Sequence, residues 1–267
     1  MMEVEKRPSA MRSLVRAART RGETVTFVPT MGAFHEGHLS LVRAARGAGD
    51  LLAVSIYVNP LQFGPSEDLE AYPRNLERDL DLARAEGADV VFAPSVEEMQ
   101  PAGRSTRVNV GRLAEILEGA SRPGHFDGVC TVVAQLLNVV APDVAFFGQK
   151  DAQQVAAVRR MVQDLFFDVE VRVCATVRDA DGLALSSRNA YLGEHERRRA
   201  SVLFRALNAG RKEWLSSGDV AITEKRMRGL VEAQGGVSLD YARVVDPITF
   251  ERPEPTRAPL LLIAARV

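Results

Sequence analysis

The chain has 267 residues, 46% hydrophobic and 26% charged, with 34 basic residues against 35 acidic ones and a formal net charge of −1. That balance argues against a polybasic surface for nucleic acid or membrane, and the apolar content argues against disorder over most of the chain. The length suits one or two domains. Cys130 and Cys174 lie in the apolar strings GVCTVV and VRVCAT. Two cysteines are too few for a disulfide framework, and both read as buried free thiols. The opening MMEVEKRPSAM has no apolar core for a signal peptide, and the apolar stretch 129–147 is interrupted by Gln135, Asn138, Pro142 and Asp143. No membrane span is therefore expected, and the cytoplasm is the expected location.

In chain order, residues 24–29 (TVTFVP) read as a strand and 39–48 as a helix with Leu39, Leu41, Val42, Ala44 and Ala45 on its apolar face. A strand at 51–58, a charged helix at 75–86 and a strand at 89–92 follow. Then come a helix at 127–140, a strand at 143–147, a helix at 152–166 and a strand at 169–174. Short apolar strands alternating with helices predict an α/β fold, a Rossmann-like doubly wound parallel sheet buried on both faces. After about residue 177 the texture changes. One long charged helix is expected over 194–217 and another over 220–233, with strands at 238–245 and 260–267 that could pair across a proline-rich loop. Residues 1–176 and 177–267 are thus read as a larger domain and a second, smaller α+β domain.

Four polar clusters follow strands or lie in loops, where open parallel sheets bind ligands. The first, Pro29 to His38 (PTMGAFHEGH), joins the first strand to the first helix. Gly32 and Gly37 allow close backbone approach, and a helix N-terminus suits phosphate. His35 and His38, three apart, can face one ligand there. HEGH is one residue short of the HExxH zinc motif and lacks a third ligand at good spacing, so no metal site is assigned. His-x-Gly-His after a strand is a signature of the nucleotidylyl-transferase superfamily. The second cluster, VNPLQFG, offers Asn59 and Gln62 as neutral hydrogen-bonding groups beside Leu61 and Phe63, which suits a ligand with hydroxyls and methyls. The third, FGQKDAQQ, places Gly148 at a strand end. Lys150 can meet phosphate, Asp151 can either cap the next helix or contact a ribose, and Gln154 sits on that helix's first turn. The fourth, LSSRN, sets Ser186, Ser187 and Arg188 as a phosphate clamp, anchored by Leu183 and Leu185.

Together with Arg122 to Val129 (RPGHFDGV) and ADGLALSSRN, these strings resemble the pantothenate synthetase family, in the same order and over nearly the whole chain. The resemblance implies the reaction: pantoate, β-alanine and ATP give pantothenate, AMP and pyrophosphate through a pantoyl-adenylate, with Mg²⁺. It implies a small C-terminal lid domain and a homodimer, and neither nucleic acid nor membrane as a partner. Matching motif by motif, it implies an ATP site at Met31, His35, His38, Gly148, Lys150, Asp151, Val177, Leu185, Ser186, Ser187 and Arg188. Of these, His38, His35 and Lys150 would be catalytic. Gln62 and Gln154, with Asn59 nearby, would hold pantoate. Ala152 stands where the family usually has tyrosine, Leu185 where it has methionine, and Phe34 where it has leucine. These changes touch pocket shape and leave the polar residues of the implied site in place.

The chemistry asks for these residue types. A carboxylate attacking the α-phosphorus is already ionised and needs no base, so the difficulty is anion meeting anion. Cations and donors around the phosphates answer it. A cation gripping the nucleophilic carboxylate would blunt it, which favours amides for the acid. No carboxylate cluster for Mg²⁺ is evident, so the ion is expected to be held by ATP and water. An acyl-adenylate hydrolyses easily, so the site should close, with Gly182 and residues 186–189 as expected moving parts. Two rivals remain at this level: a nucleotidylyltransferase of the same superfamily, which would need a second anion site, and a non-catalytic nucleotide-binding module.

Overall fold

The computed structural model describes residues 2–65, 67–254 and 257–267. In chain order the elements are β1 (Glu3–Glu5), α1 (Pro8–Thr20), β2 (Val25–Thr30), α2 (Glu36–Arg46), β3 (Leu51–Ile56), α3 (Leu76–Ala85), β4 (Val90–Phe92), α4 (Val96–Met99), α5 (Glu118–Ser121), α6 (His125–Val140), β5 (Val144–Gly148), α7 (Ala152–Asp164) and β6 (Glu170–Cys174). After these come α8 (Glu194–Ala200), α9 (Val202–Ser217), α10 (Val220–Glu232), β7 (Ser238–Val245) and β8 (Leu260–Arg266). Contacts divide the chain into two compact units, Met1–Thr176 and Val177–Val267.

The first unit holds a six-stranded sheet in the order β1-β4-β3-β2-β5-β6, with every pairing parallel. Successive β2 side chains enter opposite cores. Val25 and Phe27 join Met11, Val15, Phe126 and Leu137 of α1 and α6, while Val28 joins Leu41, Val42 and Ala83 of α2 and α3. This double burial is why the strands read as nearly continuous apolar runs. The strand order reverses between β2 and β5, which pair at Thr26↔Val144 and Phe27↔Ala145. The chain segments leaving their carboxyl ends are therefore neighbours, and this is where doubly wound sheets hold ligands.

In the second unit, β7 and β8 pair as expected, and the pairing is antiparallel, from Val245↔Leu260 to Ser238↔Arg266 with an irregularity near Leu239/Tyr241. Met227 of α10 and Trp214 of α9 pack against Ala242 and Val244 of β7.

Three differences from the sequence reading stand out. β1 and α1 precede the first expected element, and the buried spacing Met11, Val15 and Ala18 in α1 is a helical stripe in an otherwise charged segment. The expected helix 194–217 is two helices separated at Ser201. Cys130 is buried, and burial raises its thiol pKa to about 12, but Cys174 is only partly buried because β6 is the outer strand. At Gly182, with φ +86°, an added Cβ would lie 1.9 Å from the Phe204 ring, so the position requires glycine.

Candidate active site

At the end of β2 the chain takes two left-handed residues, Gly32 (φ 82°) and Ala33 (φ 52°), and then enters α2. His35 is the N-cap, with a capping box in which its Nδ1 accepts from the Gly37 N–H at 3.1 Å and His38 Nδ1 accepts from the His35 N–H at 3.4 Å. A backbone N–H can only donate, so each Nδ1 carries a lone pair and each neutral ring carries its proton on Nε2. The two rings are 4.1 Å apart between centroids, and Phe34 lies 5.5 Å from His38. The pKa of His38 is depressed to about 3, chiefly by burial and then by His35, with Lys150 adding to the effect and Asp151 opposing it. At neutral pH His38 is therefore a hydrogen-bond donor and not a stored proton. Two Nε2–H donors at a helix N-terminus are groups of the kind that can receive an anion.

Across the strand-order reversal, β5 ends at Gly148 and a 3-10 turn over Gln149–Asp151 leads into α7. Lys150 and Asp151 are exposed, with Nζ and Oδ1 3.1 Å apart. Asp151 stands at the N-cap of α7 but makes no side-chain cap bond, so the capping role that its sequence position allowed is not the one it takes. Gln154 is partly buried on the first turn of α7. Its neighbour Gln153 is buried and structural, accepting from the Glu118 N–H and donating to the Leu113 and Ile116 carbonyls.

After β3, Asn59 caps a 3-10 turn over Pro60–Gln62. Asn59 is buried, and its amide is fully engaged: Oδ1 accepts from the Leu61 N–H, while Nδ2 donates to Gln62 Oε1 and to the Gly128 carbonyl, both at 3.1 Å. Gln62 is only partly buried, and its Nε2 donates to Met31 Sδ at 3.1 Å. Asn59 thus orients Gln62, and Gln62 meets the loop that carries the histidines.

Several residues that hold this site were not assigned roles from sequence. His125 Nδ1 donates to the Gln62 carbonyl at 2.8 Å, and its Nε2 accepts from Arg122 Nη1 at 3.2 Å. These partners fix a neutral ring whose pKa falls to about 4, mainly through burial and then through the Arg122 charge. Arg122 forms a two-point bond with Glu67, which lowers the Glu67 pKa. Gly128 lets α6 touch the Pro60–Gln62 turn, since an added Cβ would lie 2.1 Å from the Leu61 carbonyl oxygen. Asp79 of α3 accepts from the Ala33 and Phe34 N–H groups at 2.7 and 2.8 Å. Its four-residue spacing to buried Ala83 was the readable signal: an acid on the inward stripe of a charged helix.

The remaining expected residues belong to the second unit. Val177 and Leu185 face each other across a short turn, where the Leu185 N–H donates to the Val177 carbonyl at 3.0 Å. Arg178 lies 4.7 Å from the Phe204 ring centroid and donates to the Gly182 carbonyl. Ser186 caps the 3-10 helix Ser187–Tyr191, and its Oγ accepts from the Arg188 N–H. Asn189 Nδ2 donates to the Ala184 carbonyl, tying this loop to the turn. Among the described residues no group of three or more His, Cys, Asp or Glu side chains is placed to hold a metal ion. No helix among them is long and apolar enough to cross a membrane.

The family model described as pantoate-beta-alanine ligase matches residues 3–267. A pantothenate synthetase of Moorella thermoacetica is 51% identical over 268 residues, covering 100% of this chain and 92% of that protein. One from Acidobacterium capsulatum is 54% identical over 92% of this chain and 85% of its own length. The crystal structure of pantothenate synthetase from Thermus thermophilus superposes with a TM-score of 0.93 at 47% identity, covering 99% of this chain and 95% of that one. The Francisella tularensis pantoate-beta-alanine ligase, described as complexed with beta-gamma ATP and beta-alanine, gives 0.79 at 34% identity over 91% and 89% of the two chains.

Proposed function

The chain belongs to the pantoate-beta-alanine ligase family, and from that premise we propose that it joins pantoate to β-alanine through a pantoyl-adenylate, with release of AMP and pyrophosphate. The observation that carries this reading is the pair of neutral imidazoles at the start of α2, each with its proton on Nε2, across from Lys150. That arrangement suits charge stabilisation without a base, which is what attack by a carboxylate needs.

In the first step a pantoate carboxylate oxygen attacks the α-phosphorus of ATP. The bond to the bridging oxygen breaks, and pyrophosphate leaves with its electron pair. His35 and His38 donate from Nε2–H to the phosphates. Lys150 exchanges Asp151 for phosphate and compensates the charge gathering on the leaving group. In the second step the uncharged amine of β-alanine attacks the acyl carbon. The C–O bond breaks, AMP leaves with the oxygen contributed by pantoate, and the surplus amine proton passes to water.

Met31, Gly148, Asp151, Val177, Leu185, Ser186, Ser187 and Arg188 complete the proposed ATP ligands by motif. Gln62 and Gln154 are proposed to hold the acid, and the engaged amide of Asn59 supports an orienting role toward Gln62. The nucleotide and amine named for the Francisella relative support the same substrates here. The described carboxylates do not assemble a Mg²⁺ site, so no step is routed through one, and Mg²⁺ is read as the counter-ion that ATP brings with it.

We read the smaller unit as a lid domain and the enzyme as a cytoplasmic homodimer. Phe166, 91% exposed, and Leu165 beside the outer strand β6 supply an apolar edge consistent with pairing, and sedimentation velocity checks it. The deciding experiment for the reaction uses pantoate labelled with ¹⁸O in its carboxylate. The label should appear in AMP, with one pyrophosphate per pantothenate. Release of ADP and phosphate, or unlabelled AMP, overturns the adenylate reading.

A further inference from the structure

The histidine-bearing loop gets its shape from outside itself. Gly32 and Ala33 both lie in the left-handed region, which for alanine is sparsely populated and persists only when the surroundings impose it. The imposing group is Asp79, 1% exposed on α3. Its Oδ2 accepts from the Ala33 N–H at 2.7 Å and its Oδ1 from the Phe34 N–H at 2.8 Å. Arg78, the preceding residue, donates from Nη1 to the Phe34 carbonyl at 3.1 Å. Two adjacent residues of α3 therefore grip the main chain immediately before His35. The next main-chain N–H, that of His35, is the one that fixes the His38 ring. A carboxylate this deeply buried is tolerated when both oxygens receive short bonds, and here backbone donors of the loop supply them.

We propose that Asp79 is a positioning residue for the adenylation step. It holds the turn at Ala33 and Phe34 so that His35 and His38 keep their Nε2–H groups aimed at the phosphates. The inference rests on the ATP reading of that loop only for its effect on rate. Its structural half, control of the two imidazoles, stands independently.

Asp79→Asn keeps the size of the side chain but presents an NH₂ to one of the two backbone N–H groups, so one bond becomes a clash of donors. Gly32→Ala disturbs the same contact from the loop side, because its Cβ would lie 2.8 Å from Asp79 Oδ2 at a residue with φ +82°. The two variants are compared with the parent by long-range ¹H–¹⁵N spectra of ¹⁵N-histidine-labelled enzyme and by single-turnover adenylation. In the parent, His35 and His38 should each show an unprotonated Nδ1 and a protonated Nε2. In both variants these two signals should move toward a tautomer mixture while those of His125 stay fixed. The adenylation rate should fall roughly 10- to 100-fold, as expected for donors displaced by about 1 Å, with the KM for ATP changed less than about threefold. Should Asp79→Asn fail to fold, Gly32→Ala carries the test. Lowered melting temperature alone, with histidine signals and rate per folded molecule unchanged, would make Asp79 an ordinary structural brace and overturn the proposal. If the imidazole signals shift but even the parent makes no AMP, the positioning role holds and the reaction reading is what fails.

Discussion

Gly128→Ala tests whether the Pro60–Gln62 turn forms the acid pocket. Within α6, alanine should be the better residue by roughly 1 kcal/mol on helix propensity alone. The tertiary contact opposes this. The new Cβ would lie 2.1 Å from Leu61 O, 2.3 Å from Leu61 C and 2.6 Å from Gln62 N, where real Cβ contacts essentially never fall under 3.0 Å. These are backbone atoms, so the turn must retreat by at least 0.9 Å, the difference between 3.0 and 2.1 Å. The same shift would stretch the bond from His125 Nδ1 to the Gln62 carbonyl from 2.8 to about 3.7 Å and the bond from Asn59 Nδ2 to the Gly128 carbonyl from 3.1 to about 4.0 Å, beyond hydrogen-bond range. A displacement of about 1 Å at a positioning group commonly costs on the order of 10²-fold. Pantoate binding should therefore weaken by about that factor, while a non-hydrolysable ATP analogue, held from β2 and β5, should change less than about threefold. Calorimetric titration of each ligand separately reads the two effects, and Gln62→Ala, which removes the amide itself, should give the same asymmetry. Equal weakening of both ligands, or none for pantoate, would refute the assignment of this turn to the acid.

Two further outcomes follow from the charges of the site. Lys150→Met keeps side-chain length without the charge and should slow adenylation by roughly 10²- to 10³-fold. Aminolysis of supplied pantoyl-adenylate, which releases no pyrophosphate, should suffer much less, and an equal loss in both half-reactions would mean that Lys150 organises the whole site. Acid should act on stability through His125, whose pKa falls from 6.5 to about 4 on folding. Between those values the unfolded chain binds the proton and the folded one does not, so stability present above pH 6.5 is lost as pH falls toward 4. The full loss is about 3 kcal/mol for a 2.5-unit difference. His38, with its pKa near 3, adds in the same direction and extends the decline below pH 4. Urea midpoints at pH 7, 5.5 and 4.5 measure the slope, and His125→Asn should flatten it; an unchanged slope would show that His125 is not neutral because of folding.

The local sequence determined much of this protein. Short apolar strands alternating with helices gave the parallel sheet, because strands buried on both faces must be apolar at nearly every position. PTMGAFHEGH and GQKDAQQ announced themselves because glycine, histidine and lysine directly after such a strand serve no packing purpose, and their family resemblance named a reaction. Which loops meet was a tertiary decision. The strings around His35 and Lys150 are more than a hundred residues apart, and only the pairing of β2 with β5 makes them neighbours. The tertiary structure likewise gave Asn59 its orienting task, by surrounding its amide with Leu61, Gln62 and Gly128. It also fixed the imidazole protons, which depend on the partner each ring nitrogen meets. His125 was the least legible, because a long-range bond to another segment's backbone leaves no period in the sequence, and Asp79 left only its spacing to Ala83. Asp79 looked like one more charge on a solvated helix until the fold turned it inward against the Ala33 and Phe34 amides.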